Sequence, residues 1–249
     1  MTSVETLAAY IRSSENIVFF GGAGVSTESG VPDFRSKDGL YNRPNIGFEE
    51  YTPEYLLSHS CLRDRPEVFF EFYRQKMDTR NIAPNAAHYF LAQLEREGKL
   101  RAVVTQNIDG LHTKAGSKKV YEIHGTTARN YCARCRKPYP SDYIFDSKAP
   151  VPRCDCGGTV RCDVTLYEEA LPEAAVNGAV SAIAAADMLI IGGTSLRVYP
   201  AASYVRYFGG EHLVIINREP LDLRLREGKD LYIPDSIGEV FTQVNALLK

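Results

Sequence analysis

Three polar side chains in four residues, Gln106-Asn107-Ile108-Asp109, follow directly on the apolar run 101–105. Buried amides and carboxylates cost free energy unless something pairs with them. Such a run at the end of a buried strand therefore predicts a ligand, and open α/β folds place ligands at the carboxyl ends of their strands. His124, in Glu122-Ile123-His124-Gly125-Thr126, also follows an apolar stretch. A lone histidine is commonly structural, but an imidazole with a pKa of about 6.5 suits a general base near neutrality. Gly22-Ala23-Gly24 closes another apolar run, 17–20. Glycines there let the backbone approach a pyrophosphate, and a helix N-terminus beyond them would offer free N–H groups. The pattern Gly22-x-Gly24-x-x-Thr27 lacks the third glycine, so an ordinary tight turn is an equal reading. No acidic residue ends the next strand in the ribose-binding place, which disfavours a dehydrogenase. Ser29-Gly30-Val31-Pro32-Asp33-Phe34-Arg35 answers no need of core packing. It reads as a loop over a cofactor, with Phe34 as apolar lid and Arg35 near phosphate.

Cys132-x-x-Cys135, an 18-residue gap and Cys154-x-Cys156 resemble a zinc ribbon whose second knuckle is one residue short. Cys162 could compete for a ligand position, whereas Cys61 stands apart. No histidine joins the cluster to open a catalytic position, so the metal is expected to be structural. Zinc ribbons also bind nucleic acid, but the flanks mix charges and show no aromatic platform.

These groups need elements to hold them. Residues 4–14 read as an amphipathic helix with Ser3 as N-cap, and 17–20 as a buried strand. Residues 85–97 read as helix and 101–105 as strand. The C-terminal third repeats the theme: helix 173–186, strand 187–191 ending in Gly192-Gly193-Thr194-Ser195, helix 200–207, strand 212–216, helix 236–248. Strands alternating with helices imply a mostly parallel sheet covered on both faces. Residues 36–81, rich in aromatics, look like a loop plus a small helical module. Residues 131–167 look like a metal-stapled insert.

The chain has 249 residues, enough for one large domain or one domain with an insert. A net charge of −2 supplies no global field for nucleic acid. The N-terminus does not read as a secretory signal, and no apolar run is long enough to span a bilayer. Five of six cysteines cluster between 132 and 162 without an export signal, which favours metal over disulfides and a cytoplasmic location.

Taken together the residues resemble the sirtuin family over nearly the whole chain. Gly22 to Ser26, Val31 to Arg35, Thr105 to His112, His124-Gly125-Thr126, the four cysteines, Gly193 to Leu196 and Asn217 all stand in family order. Each motif is weak alone, and the set is specific. The resemblance implies an α/β fold: a Rossmann-type parallel sheet with helices on both faces, from 1–35, 82–128 and 170–249. It also implies a small part, from 36–81 (cofactor loop and helical module) and 129–169 (zinc module).

The implied activity is NAD-dependent lysine deacylation. NAD is a consumed co-substrate, zinc is structural, and acyl-lysine proteins or peptides are the partners. Gly22, Ala23, Gly24, Thr27, Asp33, Phe34 and Arg35 would meet NAD in the first loop. Gln106 and Asn107 would hold the nicotinamide ribose, and Ile108 and Asp109 the carboxamide. Gly193, Thr194, Ser195 and Asn217 would hold the adenosine half, with Ile237 touching adenine through its backbone. Val164, Thr165, Leu166, Tyr167, Glu168 and Val198 would bind the substrate peptide. The catalytic residues would be Asn107 and His124, the latter also in contact with NAD. In the implied chemistry the acyl oxygen attacks the ribose C1′, nicotinamide leaves and an alkylimidate forms. His124 then activates a ribose hydroxyl, and water releases lysine and O-acyl-ADP-ribose. The competing readings are a protein mono-ADP-ribosyltransferase, which would share the cleft, and a non-catalytic NAD-binding protein, which would not need His124. A monomer without nucleic-acid or membrane partners is expected.

Two places depart from the family. Many sirtuins carry Arg-Pro-Asp-Val-Val-x-Phe-Gly-Glu where this chain has Arg161-Cys162-Asp163-Val164-Thr165-Leu166-Tyr167-Glu168-Glu169. That segment pairs with substrate in the family, so Glu168 predicts a preference for basic flanking residues. Sirtuins that remove succinyl or malonyl groups carry a Tyr with an Arg three residues on. Here Tyr73 and Lys76 are the acyl-pocket candidates, and Lys lacks the bidentate fork that suits a carboxylate. Uncharged acyl groups are therefore expected, with Arg74 and Lys76 as solvated alternatives on an amphipathic helix.

Overall fold

A computed structural model describes residues 1–34, 39–42 and 47–249. Helix α1 (Ser3–Ser13) opens the chain. Its N-cap is Thr2, not Ser3: Glu5 N–H donates to Thr2 Oγ1 at 3.2 Å and Thr2 N–H to Glu5 Oε2 at 2.8 Å. The Thr-x-x-Glu spacing makes this reciprocal box available only from Thr2.

Strand β1 (Ile17–Gly21) follows. Its side chains alternate between two cores, Ile17 and Phe19 on one face and Val18 and Phe20 on the other. That is why the run is continuously apolar. The chain then passes through the short helices α2 (Pro53–Leu56), α3 (His59–Asp64) and α4 (Pro66–Lys76). It returns through α5 (Ala86–Arg96), β2 (Leu100–Thr105), α6 (Leu111–Lys114) and β3 (Val120–Glu122). The small module continues with β4 (Gly125–Cys132), β5 (Pro138–Pro140), α7 (Asp142–Phe145) and β6 (Val160–Val164). The chain closes with α8 (Glu173–Ala185), β7 (Met188–Gly192), β8 (His212–Ile216), β9 (Leu231–Ile233) and α9 (Ile237–Leu248). Residues Ala201–Tyr207 form a 3₁₀ helix, a tighter coil than the sequence pattern implied.

The large sheet is wholly parallel in the order β3-β2-β1-β7-β8-β9. The order reverses between β1 and β7, and that switch point is where doubly wound sheets open a crevice. Helices α1, α5 and α9 cover one face, and α8 with the 3₁₀ helix covers the other. The second sheet is antiparallel, β5-β4-β6, and shares a core with α2 to α4. Phe69, Phe70, Phe72 and Tyr73 pack there with Cys132, Val160 and Cys162. Arg74 is not a solvated residue. It donates to the carbonyls of Ile144 (2.8 Å), Pro150 (3.3 Å) and Ala149 (2.8 Å), tying α4 to the zinc module. Among the described residues no helix is long and apolar enough to cross a membrane.

Candidate active site

A cleft of about 1340 Å³ lies between the carboxyl edge of the large sheet and the small module. Its floor is built at the switch point, where β1 and β7 run side by side to Gly21 and Gly192. The loops beyond touch backbone to backbone: Gly24 N–H donates to Gly193 O at 2.8 Å. A Cβ on Gly24 would sit 2.8 Å from Gly193 Cα, and Gly193 has φ +58. Both positions thus demand glycine. The expected helix N-terminus after this turn is absent. Two 3₁₀ turns, Ala23–Val25 and Thr27–Ser29, take its place.

Gln106, Asn107 and Ile108 line the cleft at the end of β2. Gln106 Nε2 donates to Thr194 Oγ1 at 3.0 Å, joining the floor to the loop after β7. Asn107 is buried, and its Nδ2 donates to Ser26 Oγ at 3.1 Å. Ser26 in turn donates to Asp109 Oδ2 at 2.7 Å. Asp109 is not a cleft-lining residue: it stands behind Ser26, where burial raises its carboxyl pKa above the usual range. His88 Nε2 lies 3.5 Å from the same Ser26 oxygen, and burial lowers the His88 pKa to about 4. Asn107 is therefore held by a buried polar chain, with Ser26 as its node.

His124 lies in the turn between β3 and β4 and lines the cleft. Its Nδ1 is 3.0 Å from Gln106 O. A carbonyl only accepts, so Nδ1 carries a proton and donates it. The residue's own carbonyl accepts Thr165 N–H at 2.9 Å.

Val164, the end of edge strand β6, and Thr165 to Glu168 after it line the cleft, as does Val198. Glu168 has φ +74, and its carboxylate takes Ser60 N–H at 2.9 Å and Ser60 Oγ–H at 2.7 Å. Thr27, Asp33 and Phe34 line the first-loop side, and Ser195, Asn217 and Ile237 the far end. Arg35 lies outside the described residues. Tyr73 reaches the cleft but Lys76 does not; Met77 takes that place. On a helix the residue four on from Tyr73 lies close to its face, and here the i+4 side chain turns to the cleft.

Cys132, Cys135, Cys154 and Cys156 bring their sulfurs within 4.8 Å of one another. Cys132 and Cys156 are 3.5 Å apart, and Cys135 and Cys154 3.6 Å. Four thiolates about 2.3 Å from a tetrahedral zinc would be about 3.8 Å apart, so the set fits the ion. Backbone N–H groups of Cys135 and Arg134 point at Cys132 Sγ and lower its pKa, favouring the thiolate. The short Cys-x-Cys knuckle closes against Gly158, where a Cβ would lie 2.6 Å from Cys132 Sγ. Cys162 is no competitor: it is buried in the small core, as is Cys61.

Ser26 entered the sequence reading only as the last residue of the glycine motif, and His88 and Met77 were not singled out. Nothing in residue type marks them, and their roles exist only through contacts made by the fold.

The arrangement defines a nucleotide-binding α/β protein whose second ligand would lie along an edge strand of a four-cysteine module. A family model described as the Sir2 family matches residues 22–200. The chain belongs to the Sir2 family. It is 51% identical over 245 residues to an NAD-dependent protein deacetylase of Clostridium acetobutylicum, covering 98% of each chain. It is 54% identical over 244 residues to one of Clostridium perfringens, covering 97% of this chain and 98% of that one. Among solved structures it resembles Sir2 with a p53 peptide and NAD+, with TM-score 0.83, 34% identity, and 99% and 98% coverage. It also resembles a Sir2 variant with a deacetylated p53 peptide and 3′-O-acetyl-ADP-ribose, with TM-score 0.84, 34% identity and 98% of each chain.

Proposed function

We infer that this chain is an NAD-dependent protein-lysine deacylase that yields nicotinamide, O-acyl-ADP-ribose and free lysine. The observation that carries the reading is His124, a ring in the cleft whose Nδ1–H is fixed by Gln106 O. In its neutral form an imidazole so held can take a proton at Nε2 from a ribose hydroxyl, the step that follows loss of nicotinamide. The glycine loops hold the phosphates by close backbone approach. Asn107, turned by Ser26, presents its amide to the ribose. Val164 to Glu168 supply an edge to which an extended peptide can add. The four cysteines would hold zinc, which supplies a structural cross-link away from the reacting atoms.

At the acyl end the cleft wall is mainly apolar: Phe34, Leu57, Tyr73, Met77, Ile108 and Leu166. Neutral acyl groups fit this wall, so acetyl should be turned over well ahead of succinyl. The cysteine cluster, read as a metal site rather than as disulfides, supports a cytoplasmic location, and the net charge of −2 argues against nucleic-acid partners; the chain is proposed to act as a monomer, and equilibrium sedimentation that returns a dimer would correct that part.

Incubation with NAD and an acetyl-lysine peptide tests the whole reading. Nicotinamide and O-acetyl-ADP-ribose are expected, and the His124→Ala variant should lose about 10²- to 10⁴-fold in rate. Label passing from NAD to protein instead would favour the ADP-ribosyltransferase reading.

A further inference from the structure

The last helix is capped by a residue from near the start of the chain. Helix α9 begins beside the cleft, with Ser236 as its N-cap. Ile237 lines the cleft and packs on the end of β7, where a Cβ on Gly192 would run into Ile237 Cδ1. The first N–H groups of a helix have no partner within it, and a serine at the N-cap ordinarily supplies one. Ser236 makes no such bond. Instead Gly238 N–H donates to Glu28 Oε2 at 2.8 Å. Glu28 belongs to the 3₁₀ turn Thr27–Ser29, just beyond the glycine loop, and it too lines the cleft. That turn is tied to the loop: Thr27 Oγ1 donates to Gly24 O at 3.0 Å, and Ser29 N–H to Ser26 O at 3.0 Å. A carboxylate suits the place, because the start of a helix carries partial positive charge.

Gly238 shows that the contact is built in. Its φ is not positive, so the backbone does not call for glycine, and glycine within a helix is less stable than alanine. A Cβ there would lie 2.6 Å from Glu28 Oε2, so the small residue is what lets the carboxylate reach the helix. With phosphates over Gly24 and Gly193 and the reacting ribose beside Asn107 and His124, the other nucleoside of NAD must run toward Asn217 and Ile237. We propose that Glu28 is a positioning residue for this adenosine half: by holding the first turn of α9 to the glycine loop, it sets the span between the phosphate and adenine ends of the cleft. The inference rests on the deacylase reading.

The test titrates ADP-ribose into the full chain by calorimetry. This probe spans both ends and carries no nicotinamide bond, so nothing turns over. Glu28→Ala should weaken ADP-ribose about three- to tenfold, the range of a lost helix cap. It should raise KM for NAD by a like factor, with kcat and the peptide KM unchanged. Glu28→Gln keeps an acceptor oxygen and should recover most of the affinity. Gly238→Ala is the sharper variant. If the contact sets the span, the added methyl pushes Glu28 away and ADP-ribose weakens. A glycine without this role would only gain helix stability on the change and leave the affinity alone, which would overturn the proposal. In the Glu28→Ala background, Gly238→Ala should cost no further affinity. Equal ADP-ribose affinity in the wild type and Glu28→Ala, or losses that add in the double variant, would overturn the proposal and leave the deacylase reading standing. A wild type that does not bind ADP-ribose would overturn both.

Discussion

Replacing Ser26 by Ala should destabilise the chain in a pH-dependent way. Ser26 is buried, gives its proton to Asp109 Oδ2 at 2.7 Å and accepts from Asn107 Nδ2 at 3.1 Å. The methyl leaves a carboxylate oxygen and an amide without that partner. Asp109 Oδ1 keeps Leu111 N–H at 2.9 Å, so its loss is partial. One charged and one neutral buried group deprived in this way together cost roughly 2–4 kcal/mol. The pH dependence follows from Asp109, whose pKa burial raises above 3.8 while the Ser26 and Leu111 hydrogen bonds pull it down. For an acid raised on folding, the stabilising contribution is full below the unfolded value and is lost as pH rises through the folded one. Ser26→Ala removes one opposing bond, raises that pKa further and enlarges the loss at neutral pH. The deficit of the variant should therefore be greatest above the folded Asp109 pKa and shrink as pH falls toward the unfolded value. His88, held at about 4, stays neutral from pH 8 to pH 5 and does not mask the trend there. Urea midpoints at pH 8, 6.5 and 5 measure it. A deficit below about 0.5 kcal/mol, within the range of ordinary surface substitutions, or one that grows on acidification, would refute the role given to Ser26.

Three further outcomes are expected. Gly24→Ala would place its Cβ 2.8 Å from Gly193 Cα and part the two loops, so KM for NAD should rise about tenfold or more while peptide affinity changes little; an unchanged KM would show that the loops can separate freely. Metal analysis should return one zinc per chain, and Cys135→Ser should lose it together with the thermal stability of the small module; a zinc-free, fully stable wild type would remove the metal from the account. Glu168, fixed by Ser60 at the cleft edge, should favour arginine over glutamate beside the target lysine by about two- to fivefold in KM, and high salt or Glu168→Gln should erase the difference; a peptide series with no charge preference at low salt would dismiss it.

The large sheet was legible because its central strands are apolar on both faces and two of them, β1 and β7, end in Gly-Gly. Strands β3 and β9, three residues each and half-exposed, carried no such signal. The small sheet was hidden too: β5 is Pro-Tyr-Pro, and prolines argue against a strand except at an edge, which is where β5 lies. At the site, the polar run after β2 announced itself because unpaired polar side chains at a strand end need a reason. Ser26 and His88 gave no such notice. They meet 62 residues apart in sequence, and neither lies in a pattern that demands the other. Lys76 shows the opposite error. A spacing borrowed from the family pointed three residues beyond Tyr73, whereas the fold turns Met77 into the cleft.

If His124 is the base proposed above, its position requires the two parts of the molecule to be in register for chemistry. The turn that carries it joins the last-paired strand on one side of the large sheet, β3, to β4 of the small one. Ile123 N–H is bound by Thr105 O at 3.1 Å, which fixes the entry to the turn on the large sheet. Gly125 fixes the exit: it has φ +75, and a Cβ there would lie 2.0 Å from Asp163 O, so no larger residue allows β4 to close on β6. The ring of His124 is held by the strand end that would grip the ribose, while its carbonyl is held by Thr165 in the segment that would pair with peptide. The ring proposed as the base is thus constrained by both walls of the cleft at once. A shift of either wall displaces the imidazole from a ribose hydroxyl, and misplacement of about 1 Å is enough to cost a large part of the rate. On that reading, hydrogen bonds such as those of Arg74 to the four-cysteine module would bear on catalysis by keeping the substrate wall in place.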